Sequence, residues 1–287
     1  MTEPRQSPTL RRRRLSAELC RLREQAGLTQ TEVTKRLEWS QGKLARMERG
    51  EWLRPDPHDI RLLLDQYGVT DERQREQLIV WAREGRQRGW WHPYKDMLSA
   101  TLSTYIGLEA EATSLHTFQL IVVPGLLQTV DYARGLISRG PEEISEEDVE
   151  RKVEVRTARQ ELLTRIDDPL RLWAVMDEAA LRRPVAGPET MRAQMQHLLE
   201  LARLPKVTLQ VIPFSAGAHP GTAGAFSLLE FPHPDDPEAA YVETVGGELF
   251  VENREEVKEY QLAFRRLTAF AADPANTLEL IAEMAST

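Results

Sequence analysis

The chain of 287 residues holds a single cysteine, Cys20. One thiol excludes an internal disulfide and a cysteine-built zinc site, and it fits a reducing compartment, so a cytoplasmic location is expected. Long apolar runs are missing as well. No stretch approaches the ~18 residues that would cross a bilayer, so no membrane partner is expected. The opening residues carry no apolar export segment. Arg11 to Arg14 begin like a twin-arginine signal, but the charged "LSAELCRLREQ" follows. Sequence signs of chemistry are sparse too. There is no G-x-S-x-G elbow, no Walker loop and no G-x-G-x-x-G loop. His92, His116, His197, His219 and His233 stand at no metal-ligand spacing. In "FSAGAHPGTAG", Ser215 lies near His219, with no evident Asp to orient the imidazole. The expectation is therefore no catalytic residue, no metal, no cofactor and no enzyme.

What is present is a globular composition, 41% apolar and 29% charged, long enough for two domains. The net charge of −8 hides an asymmetry. Residues 1–54 hold 13 of the 37 Lys+Arg but only 7 of the 45 Asp+Glu. A basic head on an acidic body points the head at a polyanion.

Periodicity divides the chain in the same way. Residues 1–10 read as a disordered arm and residues 11–88 as a compact all-α domain of five helices. In the first helix Leu15, Leu19, Leu22 and Ala26 share one face, and Gly27 stops it. Thr29 with Glu32 forms a capping box for the second. Ser40 caps the third, and Gly50 ends it. Asp56 or Asp59 restarts the chain, and Asp71 opens the fifth helix. The boundary falls near Arg88, in "REGRQRGWWHPYKD", where the Trp90–Trp91 pair is expected to pack. Residues 89–287 read as an α/β (α+β) domain with a mixed sheet of about four strands: "PLRLWAVMD", "KVTLQVIPF", "AGAFSLLEF" and "AAYVETVG". Helices are expected from Ser145, over Pro188–Leu204, over Asn253–Ala272 and at the end of the chain. "SEEDVERKVEVRTARQE" reads either as a solvated helix lying on the sheet or as a contact for a partner or a second subunit.

The third helix, residues 40–49, is the informative one. On a wheel, Leu44 and Met47 share one side, and Gly42, Ala45, Arg46 and Arg49 lie opposite, flanked by Gln41 and Lys43. Such a helix, second in a pair joined by a short turn, has the form that enters a DNA major groove. Arg and Lys donate to guanine O6 and N7, and Gln pairs with adenine. Gln41, Lys43 and Arg46 are thus the expected base contacts. Thr29 and Gln30, at a helix start with free N–H groups, suit a phosphate. Arg12 and Arg13 in the basic arm, with Ser40 and Arg49, complete the expected backbone contacts. The plain alternative is a helical hairpin with no nucleic-acid role.

"LREQAGLTQTEVTKRL", "WSQGKLARMERG" and "DIRLLLDQYGV" resemble the helix-turn-helix domain of the lambda-repressor/Cro (XRE) family over residues 15–68. The resemblance implies DNA-contact positions at Gln30 and Gln41, a reading face that includes Lys43 and Arg46, and an Arg23–Glu48 ion pair. Gly42 and Ala45 replace the hydroxyl residues frequent in related sequences. "GWWHPYKDMLSATLSTYIGLEAEA", "VPGLLQT", "DEAALRRPV", "LPKVTLQVIPFSAGAHPG" and "YVETVGGELFVEN" are similar to the C-terminal domain of actinobacterial XRE regulators, a domain of unassigned function described as antitoxin-like. The resemblance implies a transcriptional regulator that binds double-stranded DNA as a homodimer on a palindromic operator. It also implies, as an alternative, an antitoxin-like module for a small partner protein encoded nearby. An enzyme fused to a DNA-binding head is the remaining reading.

Overall fold

The computed structural model describes residues 7–52, 54–140, 144–233, 236, 238–244 and 247–286. It divides into two compact units, Met1–His92 and Pro93–Thr287.

The first unit is five helices: α1 (Pro8–Gln25), α2 (Gln30–Arg36), α3 (Gln41–Glu48), α4 (Pro57–Gln66) and α5 (Glu72–Gly85). One boundary is corrected. Residues 1–6 of the expected arm lie outside the described residues, but Pro8 to Leu10 already belong to α1. Ser7 caps the helix by accepting from the Thr9 N–H at 3.2 Å. Pro8 sits in the first turn, where a missing N–H leaves nothing unpaired. Leu10 is buried. Gly27 has φ +68°, the left-handed turn a glycine takes without a Cβ penalty. The Thr29–Glu32 capping box is complete, and Asp56 and Asp71 cap α4 and α5. Leu15, Leu19, Val33, Leu44, Ile60, Leu63 and Leu64 are wholly buried in one core, each worth about 1.5–3 kcal/mol.

The second unit is a six-stranded sheet between helices. Its elements are α6 (Ala100–Glu111), β1 (Ser114–Gln119), α7 (Val130–Ile137), α8 (Glu146–Thr164), β2 (Arg171–Asp177), α9 (Glu178–Arg182), α10 (Pro188–Leu201), β3 (Val207–Ile212), β4 (Phe226–Glu230), β5 (Ala239–Thr244), β6 (Gly247–Val251), α11 (Arg254–Phe270) and α12 (Pro274–Ser286). The strand order is β3-β2-β1-β4-β5-β6. β1, β2 and β3 run parallel, and β4 to β6 are antiparallel to their neighbours. The sheet is mixed, as read from the sequence, but β1 and β6 are additional to the four expected strands.

Strand alternation sends the two faces of the sheet to different partners. Phe118, Val175, Ile212, Phe226, Leu228 and Ala240 pack with Val257, Phe264 and Leu267 of α11. Leu115, Thr117, Leu172, Ser227 and Tyr241 line the opposite face, beneath Tyr105 and Glu109 of α6 and Arg156 and Arg159 of α8. No helix among the described residues is long and apolar enough to cross a membrane.

Candidate nucleic-acid interface

Leu44 (0% exposed) and Met47 (3%) seat α3 in the core of the first unit. Because helical side chains recur every 3.6 residues, this anchors the helix with Gln41, Gly42 and Arg46 facing solvent. Arg46 folds back over Gly42: a Cβ added there would lie 3.0 Å from its Nη1. The glycine therefore makes room for the arginine as well as for any groove wall. Gln41 and Ser40 make no side-chain hydrogen bond among the described residues, so both are open to a ligand.

Lys43 is placed differently. Its Nζ lies 2.8 Å from Asp59 Oδ1 of α4 and 3.8 Å from the centre of the Trp39 ring. It borders the exposed face, half-buried, and a base or phosphate must compete with Asp59 for it. Arg49 is exposed but forms a two-pronged pair with Glu51, at 2.7 and 2.9 Å. Exchange of such a surface pair for a phosphate costs little.

Beneath this face, Glu48 holds three helices together. It accepts from Arg23 Nε at 2.7 Å and Nη2 at 3.0 Å, and from Gln30 Nε2 at 2.7 Å. Arg23 also donates to the Leu28 carbonyl at 2.8 Å, closing the α1–α2 turn. The carboxylate raises the Arg23 guanidinium above its ordinary range, chiefly through these hydrogen bonds. Gln30 thus begins α2 with its side chain turned to Glu48. Thr29 commits its amide and its hydroxyl to Glu32, both at 2.8 Å, so neither is open to a phosphate. What α2 can still offer an anion is the backbone of its first turn.

The arginine run is the clear correction. Arg12 Nη1 donates to the Gly85 carbonyl at 3.0 Å, and Nη2 donates to Thr9 Oγ1 at 3.2 Å. Arg11 pairs with Glu84 at 2.9 Å. Both nitrogens at the end of Arg13 are buried. Burial lowers the Arg12 guanidinium from its ordinary value. Arg12 is thus engaged within the fold and the end of Arg13 is buried, so neither stands out as part of an extended arm. Arg11 and Arg12 fasten α1 to the C-terminal end of α5, where unpaired carbonyls attract cations. Charge counting could not separate these cations from Arg46, because the two sets differ only in what tertiary packing brings beside them.

The sequence also missed an orienting acid. Asp177, at the end of β2, stands 3.1 Å from His219 Nε2. His219 Nδ1 accepts from the Gly221 N–H at 3.2 Å. Both ring nitrogens are thus engaged in holding a 3₁₀ turn, and no nitrogen remains to activate Ser215. No cluster of three metal-ligating side chains occurs among the described residues.

Comparison with known proteins matches residues 14–78 to a helix-turn-helix domain and residues 102–283 to a domain of unknown function, DUF5753. No curated protein and no solved structure matches the chain.

Proposed function

Because the chain belongs to the DUF5753 family and joins that domain to a helix-turn-helix domain, we propose that it is a sequence-specific transcription regulator of the cytoplasm, a homodimer that reads a palindromic operator through α3. The observation that carries this reading is the outward face of α3, with Gln41 and Arg46 exposed around Gly42 on a helix anchored by Leu44 and Met47. Arg46 suits guanine, Gln41 suits adenine, and Lys43 adds a third contact once Asp59 releases it. Phosphate is met by Ser40, Arg49 and the first backbone amides of α2. A single helix of eight residues covers only a few base pairs. Two of them, related by a two-fold axis, supply workable specificity. The proposal assigns the chain no reaction.

Selection of duplexes from a random library by the full-length protein tests the reading. The expected result is an enriched sequence with two symmetric half-sites, about 34 Å or a multiple of it apart. Arg46→Ala should cost about 1–3 kcal/mol in gel-shift affinity and relax preference at one position of each half-site. Unchanged binding would show that another surface reads the bases.

A second reading, an antitoxin-like module for a small partner protein, has its own support. β6 is an edge strand of the sheet, and its Leu249 is 55% exposed. A partner could add a strand there. Loss of a co-purifying protein on Leu249→Lys, with operator binding intact, would favour it.

A further inference from the structure

Between the sheet and helices α6 and α8 lies a cavity of about 190 Å³. Two arginines of α8 enter it in different states. Arg159 is matched: its Nε and Nη2 donate to the two oxygens of the fully buried Glu109, at 2.7 and 2.8 Å. Arg156 is not. Its one side-chain hydrogen bond among the described residues runs from Nη1 to the neutral Gln128 Oε1, at 2.8 Å. Glu243, on the exposed end of β5, lines the same cavity and attracts it but forms no ion pair with it. Burial, with repulsion from Arg159, pushes the Arg156 guanidinium down to about 10. It stays charged at neutral pH, and among the described residues no carboxylate pairs with it directly. The Tyr241 hydroxyl, on the same wall, is buried without a hydrogen-bond partner. A buried unpaired donor is costly, and one beside a guanidinium engaged only by a neutral amide marks a place for an acceptor.

We propose that this cavity binds a small organic carboxylate, its oxygens held by Arg156 and Tyr241 and its apolar part against Leu102, Leu115, Leu126 and Leu172. A guanidinium fork matches a carboxylate in shape and charge. Arg156 offers its free donors to one carboxylate, and Glu243 on the same lining opposes a second negative charge, which disfavours a dianion. The volume lies below the ~300–1,000 Å³ of drug-sized sites, which restricts the ligand to a small acid. The Tyr105 ring stacks on Tyr241 with centroids 4.2 Å apart, and the Arg159 guanidinium lies 5.3 Å from the Tyr105 centroid. These contacts hold the tyrosine in place before the ligand arrives. The inference goes beyond DNA recognition and is tested without DNA.

Calorimetric titration of the full-length protein with benzoate, hexanoate and cyclohexanecarboxylate provides the test, with the neutral amide of each and inorganic phosphate alongside. At least one carboxylate should bind, with its amide and phosphate weaker by about tenfold or more. Arg156→Gln should weaken that carboxylate about ten- to a hundredfold, the loss of a charged hydrogen-bonding partner. Tyr241→Phe, which keeps the ring, should weaken binding about three- to tenfold and gives the answer if Arg156→Gln fails to fold. Failure of all three acids to bind overturns the proposal. So does equal binding of the amides, phosphate binding tightest, or wild-type affinity in either variant.

Discussion

Arg12 and Arg46 carry the same charge and differ in their surroundings. Arg12 reaches the last carbonyl of α5, whereas Arg46 is exposed and lies over Gly42. Arg12→Ala should therefore cost about 1.5–3 kcal/mol of stability, the worth of a charged hydrogen bond, in urea unfolding. It should leave the salt dependence of DNA binding unchanged. A flattened salt slope with unchanged stability would return Arg12 to the DNA surface. Lys43 is intermediate, because Asp59 competes with DNA for its ammonium group. Asp59→Asn should tighten DNA binding and steepen the log–log salt slope by up to about 0.9, one added charge contact. The gain should vanish when Lys43→Ala is combined with it; persistence would trace the effect to the lost acid alone. Gln41, Lys43 and Arg46 were legible as candidates from the wheel. Which cations Glu84, Gly85 and Asp59 had already engaged was not.

Elements were legible where local chemistry decides them. Thr29, Asp56, Asp71 and Ser145 cap the helices that follow them, and caps are short-range. β1 escaped notice because it is central yet polar. Ser114 and His116 interrupt the apolar pattern on one face, where His116 stacks on Phe264 of α11, and Thr117 and Gln119 interrupt it on the opposite face, which lines the polar cavity. Thr117 meets Ser227 of β4 at 2.9 Å there. α8 was misjudged for a related reason. Val149 and Val153 pack with Ala133 of α7, but Arg156 and Arg159, read as part of a solvated face, point into the interior. The 3₁₀ turn that His219 caps also packs inward, with Gly221 against Phe118 of β1 and Leu267 of α11. A Cβ there would overlap the Phe118 ring. Gly221→Ala should cost about 1–3 kcal/mol or more in urea unfolding, as overpacking does. An unchanged midpoint would mean that the turn can move away at no cost.

At the scale of the molecule, charge and core are divided alike. The cation excess lies in the first 54 residues, and the core of the first unit is built from its own helices. Residues 1–92, expressed alone, should therefore fold cooperatively and keep a helical circular-dichroism spectrum. A non-cooperative melt would show that this core is insufficient by itself. DNA binding by the full chain should weaken steeply with salt despite the net charge of −8, because local cation density rather than net charge governs counter-ion release.

The order of residues alone settled the helical head, its caps, the basic third helix and the mixed class of the second domain, because periodicity, capping and turn chemistry act over a few neighbours. It left open which arginines reach solvent, that Glu48 draws Arg23 and Gln30 together, and that Arg156 bonds a neutral amide while Arg159 bonds an acid. Those outcomes depend on groups 18 to 73 positions apart meeting in space, where a charge is set by its neighbours. Tertiary structure brings those neighbours together, and no window of sequence contains them.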